Sequence, residues 1–85
     1  MTQLITVTVK LFAAYQEAYG VPELVLELPQ GSPVAKVGDR LWAEHPELQQ
    51  WQSLTRYGIN LQFVSPETRL TDGDEVVLIP PVSGG

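Results

Sequence analysis

The feature that most constrains the fold is a pair of strand-like apolar segments near the two ends of the chain. Alternate residues of the segment 4–12 are apolar, as in a half-buried strand, namely Ile5, Val7, Val9 and Leu11. The second segment, residues 75–79, contains the apolar run Val-Val-Leu-Ile. Because these are the most apolar strands of the chain, we expect them to lie side by side at the centre of a sheet.

Glycine and proline separate the first strand from the next. Gly20 closes a predicted short helix at residues 13–19, and Pro22 prevents its continuation. Residues 23–28 then alternate again, which places their leucines on one face and their glutamates on the other. A second strand is therefore predicted there.

A longer helix is predicted after a turn at residues 29–31. Ser32 is a suitable N-cap, Pro33 suits the first helical position, and Pro46 ends the helix. One apolar stripe runs along it, formed by Val34, Val37 and Leu41. Gly38 lies inside the helix, where glycine costs about 1 kcal/mol relative to alanine. Its presence suggests close packing against the sheet.

The second half of the chain is less regular. Residues 46–56 are polar and rich in glutamine, and they predict a short helical turn or a loop. Residues 57–64 favour strand with a break near residues 60–61, and an Asp-Gly-Asp turn at residues 72–74 precedes the last strand. The order of elements predicts an α+β fold in which a sheet packs on one helix.

The composition excludes several kinds of chemistry. The chain has no cysteine, so it cannot build a disulfide, a thiolate zinc site or an iron–sulfur cluster. With His45 as the only histidine, we expect no metal site. The formal net charge of −5 disfavours nucleic acid and anionic membranes as partners. Since residues 1–12 lack the features of a signal peptide, we expect a cytoplasmic protein.

The last six residues, Pro-Pro-Val-Ser-Gly-Gly, follow the final apolar strand directly. The diglycine has no side chain near its carboxylate, so it can pass through a narrow channel and accept attack at its carbonyl. The two prolines favour an extended conformation, in which six residues reach roughly 20 Å. We therefore expect residues 1–79 to form a compact domain and residues 80–85 a flexible, extended tail that is itself the reagent.

Residues 70–76 (Leu-Thr-Asp-Gly-Asp-Glu-Val), together with this tail, resemble the small, sulfur-carrying subunit of molybdopterin synthase. Residues 11–13, residues 45–48 and the pair 59–60 are similar to the same family pattern, so the likeness covers most of the chain. The resemblance implies a ubiquitin-like β-grasp fold, a mixed sheet of four to five strands packed on one main helix. The chain departs from the pattern at Gly38, at its two tryptophans and at Leu61, where a small or polar turn residue is usual.

The resemblance also implies a mechanism in which the chain is no enzyme by itself and binds no cofactor. An ATP-dependent activating enzyme would adenylate the carboxylate of Gly85, and a sulfur donor protein would convert it to a thiocarboxylate. Inserted into the large subunit of a two-plus-two complex, the thiocarboxylate would give its sulfur to cyclic pyranopterin monophosphate. The inserted segment would comprise Pro80, Pro81, Val82, Ser83, Gly84 and the terminal residue.

The family positions that contact the large subunit correspond here to Phe12, Phe63 and Ile79. Exposed apolar residues of this kind often mark an interface, although each is equally compatible with a place in the core.

Three other functions stay open at this point. The chain could carry sulfur for thiamine or tRNA thiolation, act as a ubiquitin-like protein modifier, or be a plain β-grasp interaction domain with an inert terminus. The Pro-Pro-Val-Ser sequence before the diglycine argues against the thiamine carrier, whose tail usually lacks those prolines.

Overall fold

The alternating segment near the start of the chain is a strand, β1 (Leu4–Leu11), in the computed structural model, which describes residues 3–81. A short helix follows, α1 (Ala14–Tyr19), and ends at Gly20 in the left-handed conformation with φ 73°. The chain then returns as β2 (Glu23–Pro29), which pairs with β1 in antiparallel orientation. All three elements confirm the sequence prediction to within a residue at each end.

The remaining elements complete a five-stranded sheet. They are α2 (Ala35–Glu44), a 3-10 helix (Pro46–Leu54), β3 (Arg56–Ile59), β4 (Gln62–Val64) and β5 (Glu75–Ile79). The strand order is β2-β1-β5-β3-β4, and β1 and β5 are parallel while the other neighbouring pairs are antiparallel. The two most apolar strands therefore lie side by side inside a mixed sheet, as predicted, and the architecture is that of a β-grasp.

The core lies between the helices and one face of the sheet. Aliphatic residues with 0–1% exposure fill it from both sides, namely Val7, Val9, Val34, Val37, Leu41, Val76 and Leu78. The predicted apolar stripe of the long helix is thus buried in full. The opposite face of the sheet, which we call the outer face, carries the other alternate residues of each strand.

The start of α2 differs from the prediction. Val34, and not Ser32, is its N-cap, and the structure records no side-chain cap there. The Ser32 hydroxyl donates instead to the carbonyl of Pro29 over 2.6 Å. The backbone just before the helix pairs with a neighbouring loop, because Val34 N–H donates to the carbonyl of Thr68 over 2.7 Å. Because of this pairing the helix begins later in the sequence, at Ala35, so the predicted N-cap was wrong.

Gly38 brings α2 close to its neighbours, as predicted. A β-carbon at this position would lie 2.6 Å from the Cη2 atom of Trp42 and 2.7 Å from the hydroxyl of Tyr57. Both rings are nearly buried, at 4% and 6% exposure. The glycine therefore makes room for two aromatic rings that a larger residue would displace.

A chain of hydrogen bonds fixes the segment whose structure was hard to predict. Trp42 Nε1 donates to the hydroxyl of Tyr15 over 3.0 Å, and that hydroxyl lies 2.6 Å from Oγ1 of Thr55. Thr55 in turn donates to the carbonyl of Trp51 over 2.8 Å. Since the threonine proton is used there, the tyrosine donates to Thr55. The 3-10 helix is tied in this way to both α1 and α2.

Candidate functional site

The outer face of the sheet carries an apolar groove at the end from which the chain leaves β5. The groove has a volume of about 480 Å³. Its lining comes from the end of β1, the β3–β4 hairpin and β5, and consists of Phe12, Ala13, Gly58, Leu61, Gln62, Phe63, Val77, Ile79 and Pro80. Strand alternation explains its position. In β5, Val76 and Leu78 point into the core, so Val77 and Ile79, which alternate with them, lie on the outer face.

A row of paired residues across three strands forms the floor of the groove. Val77 of β5 lies opposite Gly58 of β3, which in turn lies opposite Phe63 of β4. Gly58 has no side chain, so the space above it stays open between its two apolar neighbours. A β-carbon there would lie 3.4 Å from the carbonyl oxygen of Gln62 and 3.7 Å from Cβ of Val77, and would fill part of the floor.

The structure brings the three predicted interface residues together in this groove. Phe12 and Phe63 are 48% and 70% exposed, and Ile79 is half-buried. All three lie outside the buried core, which removes the alternative that they are core residues. Their contact with a partner stays a prediction.

Sequence reasoning missed Gly58, Leu61 and Val77 as members of the groove. The alternation of β5 could have placed Val77 on the outer face, since it lies between two inward residues. Leu61 could have been found from its place directly after Asn60 in a predicted break between strands. Gly58 gave no signal of its own, because its role depends on the neighbouring strands.

A network of hydrogen bonds holds the hairpin beside the groove. Asn60 N–H donates to the carbonyl of Glu75 over 2.8 Å, and Glu75 N–H donates to Oδ1 of Asn60 over 2.9 Å. The carboxylate of Asp74 accepts from Asn60 Nδ2 over 3.0 Å and from the backbone of Thr71 over 2.8 Å. The Asp-Gly-Asp turn thus connects the hairpin to the start of β5.

The predicted tail begins at the edge of the groove. Pro80 is buried and lines the groove, and Pro81 is half-buried. The other predicted tail residues, Val82, Ser83, Gly84 and Gly85, lie outside the described residues. The position of Pro80 means that the chain leaves the sheet beside the apolar surface.

None of the described residues that line the groove has a side chain suited to proton transfer. No acidic, basic or histidine side chain belongs to that lining. Two charged residues flank the lining in the sheet. Lys10 lies opposite Val77 and forms an ion pair with Glu23 over 3.4 Å, and Arg56 lies opposite Ile79. Such an arrangement suits docking rather than acid–base chemistry.

The ionisable groups with shifted pKa values lie away from the groove. Burial raises the pKa of Tyr57 to about 12, with smaller contributions from the nearby Asp39 carboxylate and Tyr15. Burial and a hydrogen bond to Glu44 raise the pKa of Tyr19. Both tyrosines therefore stay protonated at neutral pH.

His45 lies against a carboxylate, with Nδ1 3.2 Å from Oε2 of Glu47. Within residues 3–81, no three acidic, histidine or cysteine side chains are grouped as metal ligands. In the same part of the chain, no helix is both long enough and apolar enough to cross a membrane.

Comparison with known proteins adds a family match and close relatives. The model of the ThiS family matches residues 9–85. The chain is 34% identical over 84 residues to a protein of Arabidopsis thaliana named molybdopterin synthase sulfur carrier subunit, with 99% of this chain and 88% of the relative covered.

Two solved structures share the fold. The solution structure of small archaeal modifier protein 1 from Methanosarcina acetivorans has a TM-score of 0.75 and 33% identity, and the match covers 98% of this chain and 99% of the other. A complex of subunits 1 and 2 of the molybdopterin-converting factor from Helicobacter pylori contains a chain with a TM-score of 0.63 and 23% identity, covering 95% of this chain and 100% of the other. At 23% identity, the likeness to the Helicobacter pylori chain shows only a shared fold.

Proposed function

Since the chain belongs to the ThiS family, we propose that it is the sulfur-carrier subunit of a molybdopterin synthase. The observation that carries this proposal is the apolar groove at the point where the chain leaves β5. A docking surface at the base of the tail would fix the direction in which the tail enters a partner. The long and nearly full-length likeness to a sulfur carrier subunit supports the same function.

In the proposed cycle the carboxylate of Gly85 attacks the α-phosphate of ATP in an activating enzyme and releases pyrophosphate. The acyl-adenylate loses AMP when a sulfide ion attacks its carbonyl, which leaves a thiocarboxylate. When the donor is a protein persulfide, its outer sulfur displaces AMP to give an acyl disulfide. A second thiol of the donor then attacks the donor's inner sulfur, which releases the thiocarboxylate and leaves a disulfide on the donor. The thiocarboxylate sulfur attacks a carbon of cyclic pyranopterin monophosphate in the large subunit and displaces an oxygen substituent from that carbon. Hydrolysis of the acyl–sulfur bond then leaves a thiol on the pterin and regenerates the carboxylate of the carrier.

The groove is proposed to bind the large subunit, in a complex of two carriers and two large subunits. Phe12, Phe63 and Ile79 would supply the contact, and burial of their apolar surface would drive association. Support comes from the exposure of the two phenylalanines on the described surface. A fold neighbour from Helicobacter pylori also occurs in a complex of two subunits of a molybdopterin-converting factor.

The test is the intact mass of the chain after incubation with ATP, the activating enzyme of the same organism and a sulfide source. We expect the mass to rise by the difference between one sulfur and one oxygen atom, and a variant without Gly85 to keep its original mass. The loaded carrier, mixed with the large subunit and cyclic pyranopterin monophosphate, should then yield molybdopterin. A carrier that loads sulfur but yields no molybdopterin would contradict the proposal.

A second candidate is a protein modifier, which the 33% identity to small archaeal modifier protein 1 favours. In that case the activated carbonyl of Gly85 would form an isopeptide bond with a lysine of another protein and release AMP. Mass spectrometry of tryptic peptides from cells would then find lysines that carry the C-terminal residues of this chain. Their absence from cells that make molybdopterin would exclude this function there.

A further inference from the structure

We propose that Leu61 is a contact residue for the large subunit, kept exposed in a strained turn at a cost to the stability of the free carrier. The inference rests on the proposed function and adds a residue to its docking surface.

The hairpin turn holds a leucine in a conformation that leucine disfavours. Ile59 pairs with Gln62, so that Asn60 and Leu61 alone form the loop. Their φ values are 49° and 71°, both positive, as in the two-residue turns that fit the twist of a hairpin. Asparagine and glycine tolerate this region, whereas the β-carbon of leucine clashes with its own backbone there.

The leucine gains nothing from burial that could offset this strain. Its side chain is 89% exposed, more than any other large apolar residue of the described chain. Backbone strain that local packing does not offset tends to be retained where it serves a function. An exposed apolar side chain in such a place points to burial by another molecule.

Hydrogen bonds and strand pairing hold the backbone of the turn that carries Leu61. Asn60 exchanges two hydrogen bonds with Glu75, of 2.8 and 2.9 Å, and gives a third to Asp74 over 3.0 Å. These contacts hold the turn to the start of β5, and the strand pair Gly58–Phe63 holds it from the other side. The backbone from which the leucine side chain projects is therefore held in place.

That position is continuous with the docking groove. Leu61 lines the groove together with Gly58 and Phe63. A partner that covers the groove would also cover Leu61, because both belong to one apolar surface. We infer that the large subunit presents an apolar pocket at this point, and that the leucine enters it without a further loss of backbone freedom, because the turn is already held in place.

The experiment separates the effect on the free carrier from the effect on the complex. We would make Leu61→Gly and Leu61→Asn, since both residues accept positive φ, and Val25→Thr as the control. Val25 is 65% exposed on the edge strand β2 and does not line the groove. Urea unfolding would be measured on each carrier alone, and the dissociation constant by calorimetry with the purified large subunit of the same organism.

We expect Leu61→Asn to shift the unfolding midpoint to higher urea, and both variants to weaken binding about tenfold. The control should bind like the unchanged carrier. Equal affinity of the Leu61 variants, with the unchanged carrier still binding, would overturn this inference and leave the proposed function standing. A lower midpoint for Leu61→Asn would show that leucine stabilises the free carrier, which also overturns it. If the unchanged carrier itself failed to bind, the proposed function would fall and this inference with it.

Discussion

Asn60 donates a hydrogen bond from Nδ2 to Oδ1 of Asp74 over 3.0 Å, and so joins the β3–β4 turn to the first residues of β5. The same carboxylate accepts two further bonds from Thr71, one from the backbone N–H over 2.8 Å and one from the hydroxyl over 3.0 Å. Asp74 is only 8% exposed. It is therefore a fixed acceptor that orients the hairpin beside the groove.

Replacing Asp74 with alanine should destabilise the protein by about 2 kcal/mol, because three donors lose their acceptor in a site with little access to water. The free energy of unfolding from urea titration measures this. Glu27→Ala, at an exposed site on the edge strand, should change it by less than about 0.5 kcal/mol. A loss at Asp74 as small as that of the control would mean that water replaces the carboxylate.

Replacing Gly38 with alanine should also destabilise the protein, although alanine is the better helix former. The added β-carbon meets Trp42 and Tyr57 at 2.6 and 2.7 Å. Overpacking of this kind costs about 1–3 kcal/mol, against a gain of about 1 kcal/mol in helix propensity. We expect a net loss of up to about 2 kcal/mol in urea unfolding.

The matched control for Gly38 is Ala43→Gly, at an exposed position of the same helix. It should cost about 1 kcal/mol through propensity alone. A gain of about 1 kcal/mol for Gly38→Ala would contradict the prediction. It would mean that the rings of Trp42 and Tyr57 move aside at no cost in free energy.

Stability should fall at alkaline pH because of Tyr57. Its pKa is raised to about 12 in the folded protein, against about 10 in the unfolded chain. The unfolded chain therefore loses this proton first. The stabilisation of the folded protein that comes from the protonated Tyr57 phenol is fully present below about pH 10 and is lost as the pH rises through about 12.

The measurement is the midpoint of urea unfolding between pH 8 and pH 12, for the unchanged protein and for Tyr57→Phe. The variant should lose less stability over this range, since it has no phenol to ionise. Some loss should remain, because the pKa of Tyr19 is raised as well. Parallel curves for the two proteins would show that Tyr57 ionises as easily in the fold as outside it.

Replacing Phe63 with alanine should weaken binding to the large subunit at least tenfold while changing the free energy of unfolding by less than about 1 kcal/mol. The ring is 70% exposed, so the free protein loses little packing. Calorimetry with the large subunit and urea unfolding measure the two effects. Unchanged affinity would place the docking surface elsewhere.

The strands were predictable because their patterns are local. Period-two alternation fixes which residues of β1 and β2 face the core, and the apolar character of β5 placed it beside β1. Ser32 was misplaced as an N-cap because the start of the helix depends on partners that are distant in the sequence. The backbone that follows it pairs with residues 68–69, which no local pattern reveals.

The candidate site was predictable in part for a similar reason. Phe12, Phe63 and Ile79 interrupt local patterns or match a family pattern, so each could be named from the sequence. Gly58 acquires its role only when β3 lies between β4 and β5. The high exposure of Leu61 could not be predicted from the sequence alone, because it depends on the turn conformation, in which both loop residues have positive φ.

The parallel pairing of β1 with β5 joins Val9 to Val76, near opposite ends of the chain. A ribosome must therefore release almost the whole polypeptide before the middle of the sheet can be completed, and contacts so far apart along the chain make folding slower than in helical domains of equal size. A nascent or truncated chain lacks the strand on which the groove depends. Under the proposed function, an unfinished chain would therefore be unable to dock on the large subunit.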